Sequence, residues 1–393
     1  MAEETTQTKK YEFTGETKKI GDITVRRIRL LVDIEYDEMS NRHKIKAGTV
    51  GGWIEREENL SHEGKCFVAD EACVYDHAVV KDDALVADHA QVFRFAVVNL
   101  QALVHGHATV CGFSVVTDHA GVCGNAIVNE YATVKDSASL NDHATASGSC
   151  KVSNNAVMVG YSRASGQAKI GGMAKLSDFA NVTERATVCG MTRISGHACA
   201  RGKCTVSGRS LLLHNCVVTD FANVNHAHVC NSAVIGDHAI VGPTVRIAGN
   251  AYIGADAGIT SNDDYFTFKV PGDSAMTLTY IPSIHSLFDE KGIRYEDLDD
   301  VRKAYPSTPL LGTIVEALFM SCPNAAGLPE PGETKTIAVQ ETAAGTKIVT
   351  EQTHKGDFAS NPEHKIDNSD AWKNFNPEKL ADPHVFEPVT EEN

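Results

Sequence analysis

The chain has 393 residues, and 51 Asp plus Glu outweigh 36 Lys plus Arg, giving a formal charge of −15 at neutral pH. That balance argues against a protein built to coat nucleic acid, and no apolar run reaches the roughly 18 residues that a membrane span needs. Eleven cysteines without a C-x-x-C pair read as reduced thiols, and the polar, acidic start at Met1-Ala2-Glu3-Glu4 has no signal-peptide core, so a cytoplasmic location is expected.

In chain order, residues 1–10 are expected to be disordered and residues 11–61 to form an N-terminal β cap that leads into a repeat region. Residues 11–36 alternate as strands do, with Ile23-Thr24-Val25 and Ile28-Arg29-Leu30-Leu31-Val32 as β-rich runs. A bare solenoid end would leave backbone groups unpaired, so this segment is expected to cover it. Trp53, after Gly51-Gly52, is expected to plug the first coil rather than to stand exposed as a binding aromatic.

Residues 62–260 carry a six-residue repeat. Counting in sixes from Cys66 to Ala222 gives 27 positions, of which 19 are Ala, four Cys, three Ser and one Thr. Two residues after each stands Val, Leu, Ile, Met or Ala, and Asp or Gly followed by His or Asn is common between them, as in Val74-Tyr75-Asp76-His77-Ala78-Val79. The small residue and the branched one two later share a face, as strand alternation requires, and Asp or Gly suits the corner. Three hexads make one triangular coil. The fold class expected is therefore all-β: a single-stranded, left-handed parallel β-helix of about ten coils. Its register slips once, at Ala222-Asn223-Val224-Asn225-His226-Ala227, which is one residue short; drift and a purposeful kink both fit.

Residues 261–324 are expected to cap the other end. Tyr265–Val270 and Met276–Ile281 flank Pro271-Gly272-Asp273-Ser274 as a hairpin, and Tyr295–Tyr305 and Leu310–Met320 read as short helices. From residue 325 to 393 Pro, Gly, Thr, Glu and Asn dominate, and residues 305–393 hold 6 basic and 14 acidic side chains, so an acidic and largely disordered tail is expected over 325–393.

Lys46-Ala47-Gly48-Thr49-Val50-Gly51-Gly52-Trp53-Ile54, then Glu58-Asn59-Leu60-Ser61 and the hexads, resembles YdcK-like hexapeptide-repeat proteins over roughly residues 10–280. The resemblance implies a left-handed β-helix of a kind frequent in bacteria and phages and often labelled an acyltransferase. That label comes from sharing a fold with true acyltransferases, which is an analogy and not a site.

Histidine is the obvious carrier of chemistry. At an 18-residue coil His89, His107, His143 and His197 fall in one column, with Asn125, Tyr161, Phe179 and Asn215 in the gaps; His77, Phe95, Phe113 and Tyr131 form a second, aromatic column. Of these, His89, His107, His143, His197, Phe95, Phe113 and Tyr131 are the expected binding surface. Asp-His at a corner that also accepts Gly-Asn reads as corner chemistry repeated, and the His89–His107 pair lacks a third ligand, so no metal is expected. The run of 27 hexads has no inserted loop of the kind that forms the acyl-donor pocket in acyltransferases of this fold. The function expected is a non-catalytic scaffold or binding rod, with a phage or mobile-element accessory in view, no cofactor, and a protein partner held by the 325–393 tail or the outer solenoid face. An acyltransferase using acetyl-CoA is the alternative; it implies a trimer and directs attention to His105, His226 and His228. A virion or filament component is the third. A homo-oligomer is open in each.

Overall fold

The computed structural model describes residues 9–35, 44–271, 273–321, 333–342 and 345–355. The chain divides into two compact units, residues 1–326 and 327–393.

The first unit is a parallel β-solenoid. From Phe67–Val68 to Gly258–Ile259 strands of two or three residues recur at the hexad spacing, and each pairs in parallel with the strand one coil away, as in Leu103↔Gly121 and Val104↔Val122. Among the described residues the coils build three sheets, of 14, 11 and 11 strands; the first two strands of the 14-stranded sheet belong to the antiparallel cap, leaving 12 parallel rungs on that side. The solenoid thus exceeds the expected ten coils slightly. Its first rung is β3 (Val50–Ile54), inside the segment read as a lead-in, where Trp53 pairs with Cys73 and Ile54 with Val74.

The core follows from the repeat. Every small-column residue from Cys66 to Ala222 and every branched residue from Val68 to Val224 is buried. Each corner turns on one residue with positive φ, for example Asp70, Asp76, Asp82 and Asp88 at 53° to 59°. Asp and Asn tolerate that region better than most residues, and here their side chains also act across coils. Asp88 Oδ2 accepts from the Gly106 N–H at 2.8 Å, Asp142 from Gly160 at 3.0 Å and Asp178 from Gly196 at 2.9 Å. Each bond satisfies a corner N–H that would otherwise lack a partner in the ladder.

The N-terminal cap is an antiparallel hairpin of β1 (Tyr11–Ile20) and β2 (Ile23–Leu30) that continues onto β3. Ile28, Leu30 and Ile54 close the coil interior, whereas Trp53 does not plug it. With Cys73, Tyr75 and Val25 the indole forms a separate cluster on the outer face, and its N–H donates to Glu71 Oε2 at 2.9 Å. In strand parity Trp53 matches the outward Cys73 and Ile54 the inward Val74. Gly51 and Gly52 let this entrance close, since a Cβ would come 2.6 Å from the Val68 carbonyl at the first and 2.5 Å from the Ala72 carbonyl at the second. Lys9 and Lys10 correct the expectation of a disordered start. Lys10 is buried, and its Nζ donates to the carbonyls of Glu63 and Gly64 and lies 3.1 Å from Cys66 Sγ. Residues 1–8 lie outside the described residues.

At the other end the expected hairpin is present as Phe266–Val270 and Asp273–Ile281, extended by the short strands Ser286–Asp289 and Arg294–Tyr295. Ile281 and Phe288 join the solenoid core. Leu278, Tyr280 and Leu287 pack with Val301 of α1 (Leu298–Ala304) and with Leu311 and Val315 of α2 (Pro309–Ser321), the two helices expected here.

In the second unit Glu333–Thr342 and Gly345–Lys355 pair as an antiparallel hairpin. These strands fall inside the segment expected to be a largely disordered tail, at a stretch whose sequence includes the β-branched residues Thr334, Thr336, Ile337, Val339, Ile348, Val349 and Thr350. Residues 356–393 lie outside the described residues.

Candidate functional site

The corner columns are ladders of rings. His77 stacks on Phe95, Phe95 on Phe113 and Phe113 on Tyr131, with centroids 4.8, 4.8 and 5.1 Å apart. On another corner His89 stacks on His107 at 4.8 Å, and His143, Tyr161, Phe179 and His197 stack in turn at 4.6, 5.3 and 4.7 Å. The spacing is that of stacked strands, so the columns read from the sequence exist as such. Phe95, Phe113 and Tyr131 are nevertheless about half exposed, at 48%, 50% and 61%. Both faces of Phe95 and Phe113 are taken by their neighbours, so solvent meets their ring edges, while Tyr131 ends the ladder with one face stacked on Phe113. That favours contact with an apolar or edge-accepting protein surface over face-on stacking with a flat ligand.

Of the three catalytic candidates, His105 is the one in a constellation. Its Nδ1 lies 3.5 Å from Asp88 Oδ2, the same oxygen that accepts the Gly106 N–H. Cys123 stands one rung on in the same column, Val104 pairing with Val122, and its thiol donates to Asn141 Oδ1 at 2.7 Å. Burial pushes the Cys123 thiol above its ordinary pKa, and Asp142 adds to the shift, so the group is held as a thiol and not as a nucleophilic thiolate. Asp88 as partner of His105 was missed because the contact runs 17 residues back along the chain, across one coil.

His226 and His228 sit at the register slip. Corners fall at Asp220, His226, Asn231 and Asp237, so the short side follows His226. Ser207 pairs with Asn225 and Ala227 N–H donates to Ser210 Oγ, so the omitted residue is the outward corner position that Arg209 fills one coil earlier. The His226 ring folds against Asn225, with Nδ1 2.7 Å from Asn225 Oδ1. His228 points outward from a strand, between Leu211 and Arg246 on neighbouring rungs, and burial followed by the Arg246 charge lowers its pKa. The two histidines therefore serve a corner and a face, and no hydrogen bond joins them among the described residues.

Among the described residues no group of three His, Cys, Asp or Glu side chains is placed to hold a metal ion. Depressions of about 310 Å³ by Tyr305, Leu311 and Glu316 and about 380 Å³ by Asn250, Thr267 and Phe268 belong to the C-terminal cap, not to the ladders or to His105. No helix among the described residues is long and apolar enough to cross a membrane.

A second feature is invisible when the rod's charge is taken as one sum. Residues 62–142 hold 4 basic and 11 acidic side chains, a balance of −7, and residues 143–215 hold 9 basic and 2 acidic, a balance of +7. The cations are Lys151, Arg163, Lys169, Lys175, Arg185, Arg193, Arg201, Lys203 and Arg209, all exposed. None is in an ion pair among the described residues. The near-neutral rod is thus two oppositely charged halves.

A scan of known protein families finds no model that matches this chain. A comparison with characterised proteins finds no match either. What stands is the architecture, a parallel β-solenoid with a small cap at each end.

Proposed function

We propose that this protein is a non-catalytic β-solenoid scaffold whose outer surface binds a protein partner. The observation that carries this reading is the uninterrupted series of coils from Phe67–Val68 to Gly258–Ile259, in which no loop projects to build an acyl-donor pocket. His77, His89, His107, His143 and His197 are spent in stacks, and the exposed ring edges of Phe95, Phe113 and Tyr131 offer protein-binding area at no cost to the fold. The likeness to YdcK-like proteins adds support for the architecture and leaves role open. The test is capture of the native partner by crosslinking, repeated with Phe95→Ser/Tyr131→Ser. Loss of the partner from a folded variant supports the reading; unchanged capture removes the ladder from it.

Hexapeptide-type acyl transfer from acetyl-CoA is the second reading, favoured by the Asp88–His105 pair. It requires acetyl-CoA turnover that His105→Ala abolishes. Turnover that survives His105→Ala would place the chemistry elsewhere.

A further inference from the structure

The split in charge has a structural basis that the repeat itself does not demand. In residues 62–142 the positive-φ corner residue is usually acidic, as at Asp70, Asp76, Asp82, Asp88, Asp118, Glu130, Asp136 and Asp142. In residues 143–215 it is usually Gly, with Asp178 and Glu184 as the acids. Gly meets the same backbone requirement, so turning the corner does not explain the acids. The outward strand residue changes at the same place. It is uncharged from Phe67 through Ser139 and then becomes Lys151, Arg163, Lys169, Lys175 and Arg193 in five of the later rungs.

The change is present on the 11-stranded sheet that runs from Phe67–Val68 to Arg246–Ile247, as it is on the other 11-stranded sheet, where Lys151 and Lys169 stand on adjacent rungs. In its acidic half the outward floor is Leu85 and Leu103, framed by Asp82 and Asp118 on one corner and Asp88 on the other. In its basic half Lys175 and Arg193 stand on adjacent rungs, flanked by Met173 and Met191, which are 58% and 47% exposed.

We infer that this sheet is the interface of an antiparallel pair of rods, and that its occupant is a second copy of this chain. A two-fold axis on the Ser139 rung sets Arg193 of one copy over the Leu85 rung of the other, between Asp82 and Asp88, and Lys175 over the Leu103 rung. The same contacts repeat on the other side of the axis, as an isologous interface requires. On this sheet each copy sets Lys175 and Arg193 against Asp82 and Asp88 of the other, whereas Lys151, Arg163 and Lys169 lie on the other two sheets. A parallel, in-register assembly would instead oppose basic half to basic half and acidic half to acidic half, and juxtaposed like charges are unfavourable. Nine rungs overlap, from Phe67 to Leu211, giving a strip about 40 Å long, which at about 20 Å width reaches the roughly 800 Å² per partner of a standard interface. The inference rests on the binding-rod reading and names a partner for it.

The test is sedimentation of the full chain at low and high salt with paired charge reversals. The wild-type protein is expected to dimerise at 50 mM salt, with a dissociation constant raised about tenfold or more at 500 mM. Lys175→Glu/Arg193→Glu and Asp82→Arg/Asp88→Arg should each be monomeric alone, and an equimolar mixture should dimerise. Arg94 already occupies a positive-φ corner, so the second variant keeps a side chain that this backbone accepts; Lys175→Gln/Arg193→Gln, which should weaken the dimer, serves if either reversal fails to fold. A monomer at every salt overturns the pairing, as does a dimer that ignores both reversals. A wild-type monomer whose basic half binds a DNA duplex would overturn it in favour of a polyanion. None of these outcomes depends on acetyl-CoA, so failure of the pairing is separable from failure of the scaffold reading.

Discussion

The imidazole of His226 lies directly over Gly208, so close that a Cβ built on Gly208 would stand 2.2 Å from its Nδ1. The shortened side makes this contact. Without a counterpart of Arg209 the chain turns at once into Ala227, and the His226 ring fills the space over the previous corner. Gly208 has φ of +71°, so a side chain there meets both backbone strain and the ring. Gly208→Ala should cost about 2 kcal/mol in urea unfolding, and adding His226→Gly should return about half of it. Full recovery would mean the ring alone is responsible.

Phe113 is half exposed yet stacked on both sides, by Phe95 and Tyr131. Phe113→Ala should therefore destabilise the rod by about 1–2 kcal/mol, well beyond an ordinary surface change. His105→Ala, which removes no stack, should stay within about 0.5 kcal/mol. Equal losses for the two would deny the ladders a stabilising role.

Cys150, Cys204 and Cys216 occupy the small column, and burial pushes their thiols up to about 12. At pH 8 they should resist a thiol reagent until the chain unfolds. Cys150→Ala, which restores the commonest residue of the column, should cost about 1 kcal/mol or less, whereas Ala126→Leu should cost about 1–3 kcal/mol by overpacking. Rapid labelling of all three in the folded protein would contradict a closed coil interior.

Asp136 accepts the Asn154 N–H at 2.9 Å, and this bond, followed by the Lys135 ammonium, holds its carboxyl below the usual range. Glu71 is lowered in the same sense, chiefly by the Trp53 indole N–H. A carboxyl with a depressed folded pKa stabilises the fold above its unfolded pKa of about 4, and that contribution is lost as pH falls through the lower folded value. Urea midpoints should hold from pH 7 to 5 and fall below about pH 4. Asp136→Asn keeps the acceptor without the charge, and its decline should be shallower; an identical decline would exclude Asp136 as a source.

The coils were legible because one residue type recurs at one spacing: a small residue at each sixth position has a simple steric cause. The ring columns followed from the 18-residue coil by counting alone. Trp53 was misplaced because strand parity, which sets it outside with Cys73, depends on the rung to which β3 pairs. The strands Ser286–Asp289 and Arg294–Tyr295 are too short to carry a period, and the hairpin over Glu333–Lys355 was masked by a polar average. The charge halves were present in the sequence but cancelled in a sum over residues 62–260. They emerge once that sum is divided at residue 142. The Asp88–His105 contact needed the coil geometry itself.

The central claim, that this is a binding rod without acyl-transfer chemistry, is tested most directly by native mass measurement of the full chain at low salt, with and without acetyl-CoA. The account predicts a dimer whose mass does not change with acetyl-CoA. A trimer that retains acetyl-CoA would contradict it and return His105, with Asp88 behind it, to the role of catalytic base.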